Sequence, residues 1–282
     1  MKSLYLSTLM MLCCCLSCGD NKTPLENTEG SSKSTVPKGY KLVWSDEFDD
    51  APNGLPGNEW RLETGNHGWG NNELQNYVNY FLETDTVAKI QKGKLIITAF
   101  QLEEAYQGSD YISARMKTIQ AWKYGYFEMR ARLPGGRGTW PAFWMLPQKD
   151  SKDWILAGEI DIMEYVGYTP GIAFATIHTK AYHQTAGTAK SASCKVPGAE
   201  QEFYTYSLLW TENEIKAYVD GKSYFSFKND KTGNRETWPF DQPFYLILNL
   251  AIGGDWGGIK GIDPDIFPAR YEIDYVRVYQ PK

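Results

Sequence analysis

Gly158-Glu159-Ile160-Asp161-Ile162-Met163-Glu164-Tyr165 is the stretch on which the reading of this chain turns. Acidic and apolar residues alternate along it, which is the period of a β-strand with two unlike faces. Glu159 and Asp161 share one face, while Ile160 and Ile162 take the other. Glu164 lies five positions after Glu159, so strict alternation sends it to the apolar face. A β-bulge at Met163 inserts one residue and returns Glu164 to the face of Glu159. Three acids crowded on one face repel, and at least one must hold its proton above the usual carboxylate range.

Glycoside hydrolysis uses that arrangement. A retaining mechanism needs two carboxyls ~5–5.5 Å apart, one as nucleophile and one as acid/base. A raised pKa keeps the acid protonated at working pH. The third acid can orient the nucleophile. Taken alone, the run reads equally well as an exposed acidic strand face or as a calcium site of carboxylates.

Outward from this strand the chain is β-rich. Tyr40 to Trp44, Lys94 to Phe100, Gly125 to Leu133, Tyr204 to Trp210 and Tyr271 to Tyr279 are short runs with period-two or compact apolar character. Gly, Pro, Asn and Asp separate them, as in antiparallel sheets. Asp220-Gly221 falls between Ile215–Val219 and Ser223–Phe227 and marks a hairpin, because both residues tolerate positive φ. No long helical periodicity or internal repeat is visible. The pattern predicts an all-β, antiparallel two-sheet sandwich.

The 282 residues suit a single large β domain. Aromatic residues reach 15%, with 10 Trp and 19 Tyr. They favour strands, and their flat apolar faces with polar edges also suit sugar rings. A net charge of -5 without a basic stripe argues against nucleic acid. There is no Gly-x-Ser-x-Gly elbow and no P-loop. The three histidines, at 67, 178 and 183, lack zinc spacing.

The N-terminus reads as an export signal. Lys2 precedes an apolar stretch from Leu4 to Leu16, too short to span a membrane as an ordinary helix. It ends in Leu16-Ser17-Cys18-Gly19, which resembles a bacterial lipoprotein signal, although Cys15 stands where Leu is usual. Residues 1–17 are then the signal peptide, and Cys18 carries a lipid that anchors the protein in the membrane. Residues 18–38 form a flexible tether poor in large apolar residues. Residues 39–282 are the folded domain. Only Cys194 stays in that domain, so no internal disulfide is expected. The expected location is the bacterial cell surface or periplasm, as a monomer.

Six segments carry a family resemblance: Trp69-Gly70-Asn71-Asn72-Glu73-Leu74-Gln75, Tyr124-Gly125-Tyr126-Phe127-Glu128, Trp140-Pro141-Ala142-Phe143-Trp144-Met145-Leu146, the carboxylate strand, Ala175-Thr176-Ile177-His178, and Ile273-Asp274-Tyr275-Val276-Arg277-Val278-Tyr279. Together they resemble glycoside hydrolase family sixteen, and within it the laminarinases, from Lys41 to Gln280. The resemblance implies a concanavalin-A-like β-jelly-roll with a sugar cleft on its concave sheet. It implies retaining, endo-acting cleavage of β-1,3-glucosidic bonds, with Glu159 as nucleophile, Glu164 as acid/base and Asp161 as helper. The extra Met163 is similar to the bulged subfamilies and unlike the lichenases. Trp140 and Trp144 would stack on sugar faces, and alternation lets only one of Phe143 and Trp144 face the cleft. Asn71 and Arg115 would bond hydroxyls, although Arg115 also suits a structural ion pair. His178 would lie near Glu164. Trp69 and Trp256 would line the cleft rim. No cofactor is needed for catalysis. A structural Ca2+ is implied at Glu47, the Gly93 carbonyl and Asp274. Two other readings stay open: the same fold acting on mixed-linkage glucan or on a galactan such as agarose, and a silent carbohydrate-binding protein.

Overall fold

The computed structural model describes residues 35–49, 51, 54–82, 85–149 and 154–282. The signal peptide, Cys18 and most of the proposed tether lie outside the described residues. Among the described residues, nineteen strands run in chain order: β1 (Tyr40–Asp46), β2 (Trp60–Glu63), β3 (Gln75–Tyr77), β4 (Phe81–Leu82), β5 (Asp85–Thr86), β6 (Ala88–Ile90), β7 (Leu95–Tyr106), β8 (Ser109–Ser113), β9 (Arg115–Thr118), β10 (Gly125–Arg132), β11 (Thr139–Pro147), β12 (Glu159–Tyr165), β13 (Ile172–His178), β14 (Lys190–Lys195), β15 (Tyr204–Trp210), β16 (Glu214–Val219), β17 (Lys222–Lys228), β18 (Phe244–Ile252) and β19 (Ala269–Pro281).

Two large sheets dominate. One has ten strands, ordered β17-β16-β15-β10-β19-β7-β8-β3, with β1 on β19 and β6 on β7. The other has seven, ordered β14-β13-β12-β11-β18-β9-β2. Neighbours pair antiparallel except β3 with β8. Two four-residue α-helices, Trp154–Ala157 and Gly254–Gly257, are the α-helical segments among the described residues. The expected sandwich is therefore the fold, in the jelly-roll form.

Alternation sets the core between the sheets. From the ten-stranded sheet, Phe127, Met129 and Ala131 point inward. From the seven-stranded sheet come Ile160, Ile162, Met163 and Tyr165, all fully buried in the same cluster. Burying each large apolar side chain contributes roughly 1.5–3 kcal/mol, which lets the domain stand without a disulfide. The Asp220-Gly221 turn joins β16 to β17 as expected, with φ of 45° and 73°. Residues Thr35–Lys282 make up one unit. Thr35, four residues before the expected boundary, already touches the domain, with its Oγ1 2.6 Å from Tyr126 Oη.

Candidate active site

Strand β12 sits near the middle of the seven-stranded sheet and carries the three acids on its outer face. Asp161 pairs with Thr176 on β13, and Glu164 pairs with Phe174. Ile162 and Met163 together therefore face Ala175 alone, which is the bulge expected from the sequence. Both bulged side chains go into the core, so Glu164 returns to the side of Glu159 and Asp161. On the other flank, Asp161 pairs with Trp144 of β11 and Glu164 with Ala142.

Each acid has a distinct setting. Trp140 donates its indole N–H to Glu164 Oε1 at 3.1 Å. His178 Nε2 lies 3.2 Å from Asp161 Oδ2 and 3.8 Å from Glu159 Oε1. The Asp161 side chain is only 4% exposed, against 17% for Glu159. Burial pushes Asp161 up to about 8. Burial and the neighbouring Asp161 charge push Glu159 up to about 8, against an opposing pull from His178. Burial and Asp161 also push Glu164 up to about 8, opposed by His178 and by hydrogen bonds from Trp140 and Thr176. The trio thus holds protons jointly near neutral pH. Retention of a proton on this trio is what a general acid requires.

Antiparallel pairing sets His178 opposite Glu159; its charge also reaches Glu164, whose carboxylate takes a hydrogen bond from Thr176. Spacing along β13 could not reveal this, because the register is fixed by the partner strand.

The remaining candidates form the floor and rim. Phe143 is fully buried, and Trp144 faces the outer side. Arg115 is sandwiched between aromatic rings, 4.6 Å from the Trp144 centroid and 4.7 Å from that of Trp69. Its Nε also donates to Glu63 at 2.6 Å. Burial raises Glu63, but Arg115 and Lys117 outweigh that and hold it below its usual range. Arg115 thus serves first as a structural clamp. Trp256 packs edge-on against Trp140 and Phe174, at 5.4 and 5.0 Å between centroids, which makes a partly exposed aromatic corner beside Glu164.

The loop with Trp69 and Asn71 is stitched to the loop with Trp256. Asn72 Nδ2 donates to Asp255 at 2.9 Å, and the Asp255 N–H donates to the Asn71 carbonyl at 2.7 Å. Behind them runs a hydrogen-bond chain that the sequence reading missed. Asn71, Gln75 and Tyr77 all donate to the Glu73 carboxylate. Asn249 then donates to Tyr77 Oη, and Trp144 donates to Asn249 Oδ1. Burial raises the Glu73 pKa despite those donors. A signal for Asn249 existed: it is a lone amide inside the apolar run Leu246–Ile252.

Metal chemistry has two candidate places. Glu159, Asp161 and His178 offer ligand atoms within 4.8 Å of one another, a set whose occupation would block the carboxylates. The positions expected for calcium are Glu47, Gly93 and Asp274. The Glu47 carboxylate takes two hydrogen bonds from Arg277, at 2.9 and 2.7 Å. Asp274 takes Arg130 at 2.6 Å. Those oxygens are turned to guanidinium groups, so the residues as arranged are ion pairs and do not fit a calcium cage.

Comparison with known proteins agrees with this geometry. The family model for glycosyl hydrolases family 16 matches residues 71–277. The chain is 48% identical over 261 residues to a beta-glucanase of Rhodothermus marinus, with 89% of each chain covered. It is also 48% identical to the laminarinase of Rhodothermus marinus solved by X-ray, with a TM-score of 0.80 over 86% of this chain and 97% of that one. A non-specific endo-beta-1,3(4)-glucanase structure is 44% identical, with a TM-score of 0.80 over 88% of this chain and 93% of that one. With the bulged acidic strand set in a jelly-roll sandwich, the chain belongs to glycosyl hydrolase family 16.

Proposed function

We propose that the protein is an endo-β-1,3-glucanase of laminarinase type, and that it cleaves internal bonds of laminarin-like glucans with retention of configuration. The observation that carries this reading is the bulge at Ile162–Met163, which puts Glu159, Asp161 and Glu164 on one face. The kinship to beta-glucanase and laminarinase supports the substrate class.

Glu164 acts as acid/base. Protonated at the start, it gives its proton to the glycosidic oxygen as the bond to the anomeric carbon breaks. Glu159, ionised, attacks that carbon and forms a glycosyl ester. Glu164, now a carboxylate, takes a proton from water. The water oxygen bonds the anomeric carbon and releases Glu159. Asp161, with His178 beside it, holds a proton or a charge as Glu159 changes state. Trp140 orients Glu164. Trp140 and Trp256 provide aromatic surface for a sugar ring, and Trp69, Asn71 and Trp144 extend the cleft along the sheet.

A second reading widens the substrate to mixed-linkage glucan, because the non-specific endo-beta-1,3(4)-glucanase is 44% identical. Export and anchoring through lipid on Cys18 place the working enzyme at the cell surface or in the periplasm. Reducing-sugar release from laminarin, lichenan, agarose and κ-carrageenan tests the reading. Activity on laminarin, with or without lichenan, supports it. Activity on agarose and none on laminarin overturns it.

A further inference from the structure

The outer face of the ten-stranded sheet, away from the cleft, carries a basic patch. Cross-strand register places Lys89 on β6, Ile96 on β7, Glu272 on β19 and Arg132 on β10 in one lateral row. Lys89, Lys92, Lys94 and Arg270 surround a single concavity over Ile96. The acids within the patch are already engaged: Glu272 with Arg132, and Asp274 with Arg130. Asp49 comes beside the β6–β7 hairpin at Gly93. Among the described residues, Lys89, Lys92, Lys94 and Arg270 form no ion pair. Lys94, Arg130 and Arg132 gather around the Phe203 ring, at 5.7, 5.0 and 5.6 Å. This excess of positive charge stands out on a chain whose net charge is -5.

The chain enters the domain on the same face. Thr35 contacts Tyr126 and Glu128 of β10. Those two residues lie on the outward side of the strand that carries Arg130 and Arg132, opposite the core residues Phe127, Met129 and Ala131. Cys18 is 17 positions before Thr35. As a random coil, 17 residues have an r.m.s. span of roughly 20–25 Å. A lipid on Cys18 would therefore hold this face at high effective concentration near headgroups.

We infer that Lys89, Lys92, Lys94 and Arg270, on the outer face of the ten-stranded sheet, dock the domain on anionic phospholipid headgroups. Docking leaves the carboxylate cleft, on the opposite face of the sandwich, turned away from the membrane toward polysaccharide in the medium. The inference goes beyond the hydrolytic reading. It draws on the export reading for the identity of the surface.

The test uses the mature chain from residue 18 with Cys18→Ser, so that no lipid contributes. Cosedimentation compares mixed phosphatidylglycerol–phosphatidylcholine vesicles with pure phosphatidylcholine vesicles at low and physiological salt. Each basic residue near such a surface contributes roughly a five-fold factor in partitioning. Lys89→Ala/Lys92→Ala/Arg270→Ala should therefore lower binding to the anionic vesicles by roughly a hundred-fold. Laminarin hydrolysis by the variant should be unchanged, which also reports that it folds. Salt-sensitive binding of the parent chain to the anionic vesicles alone is the expected result. Equal binding to both vesicle types, no binding, an unaffected triple variant, or preference for soluble dextran sulfate over vesicles would each overturn the inference. Failure of the hydrolytic reading would appear instead as loss of laminarin turnover in the parent chain.

Discussion

The Trp140 indole N–H lies 3.1 Å from Glu164 Oε1, on a strand whose register also sets Ala142 directly opposite Glu164. A small residue at 142 leaves room, and the indole two positions earlier fills it with a donor. This bond favours the ionised form of Glu164, against the burial that favours the protonated one. Trp140→Phe keeps an aromatic ring and removes the donor. A hydrogen bond to a charged group contributes about 1.5–3 kcal/mol, so kcat should fall about ten-fold or more. The alkaline limb of the pH–rate profile should move upward, because Glu164 loses a partner of its charged form. An unmoved limb would show that Trp140 does not tune this acid.

Asp161 and His178 act through Glu159. Asp161→Asn should slow hydrolysis less than Glu159→Gln, because the nucleophile stays. His178→Ala removes the group that opposes the rise of Glu159. Its acidic limb should therefore shift to higher pH, with kcat affected more than KM. Steady-state kinetics on laminarin from pH 4 to 9 separates these effects from simple misfolding, which would scale the whole profile without shifting it.

Stability of the free enzyme should depend on the same trio. The values of Glu159, Asp161 and Glu164 are all raised in the fold, to about 8. The folded state thus binds protons more tightly than the unfolded chain. That contribution is fully present below the unfolded carboxylate range and is lost as pH rises toward about 8. The Tm of the wild type should fall from pH 5 to pH 8.5. Glu159→Gln, which removes one of the mutually repelling charges, should fall less. Equal slopes in a calorimetric pH series would contradict the assigned electrostatics.

Glu63 and Arg115 test the floor of the cleft. Glu63→Gln leaves the guanidinium between Trp69 and Trp144 without its carboxylate. The cost should be about 2 kcal/mol of stability, below the ~3–5 of a fully buried pair, since Glu63 is 20% exposed. A looser Trp144 should raise KM for laminarin several-fold with little change in kcat. A drop in kcat alone would instead place Arg115 at the chemistry.

The acidic strand was legible because side-chain alternation and one extra residue decide which face each carboxylate takes. The hairpin at Asp220-Gly221 was legible because backbone chemistry is local there. The hydrogen-bond chain from Glu73 through Tyr77 and Asn249 to Trp144 was not, since its members come from β3, β11, β18 and the loop before β3. The register of His178 opposite Glu159 is likewise set by the pairing of β13 with β12. Asp274 and Glu47 carried oxygen chemistry in the sequence, but Arg130 and Arg277, which hold them, are distant in sequence and meet them only in the folded sheet.

The most direct measurement is reducing-sugar release from laminarin by the wild type, Glu159→Gln and Glu164→Gln side by side, with laminarin binding measured on each. General acid–base catalysis alone contributes roughly 10²–10⁴-fold. Both variants should therefore bind laminarin and lose at least that factor in turnover, with Glu159→Gln the more severe. Turnover by either variant near the wild-type rate would contradict the account.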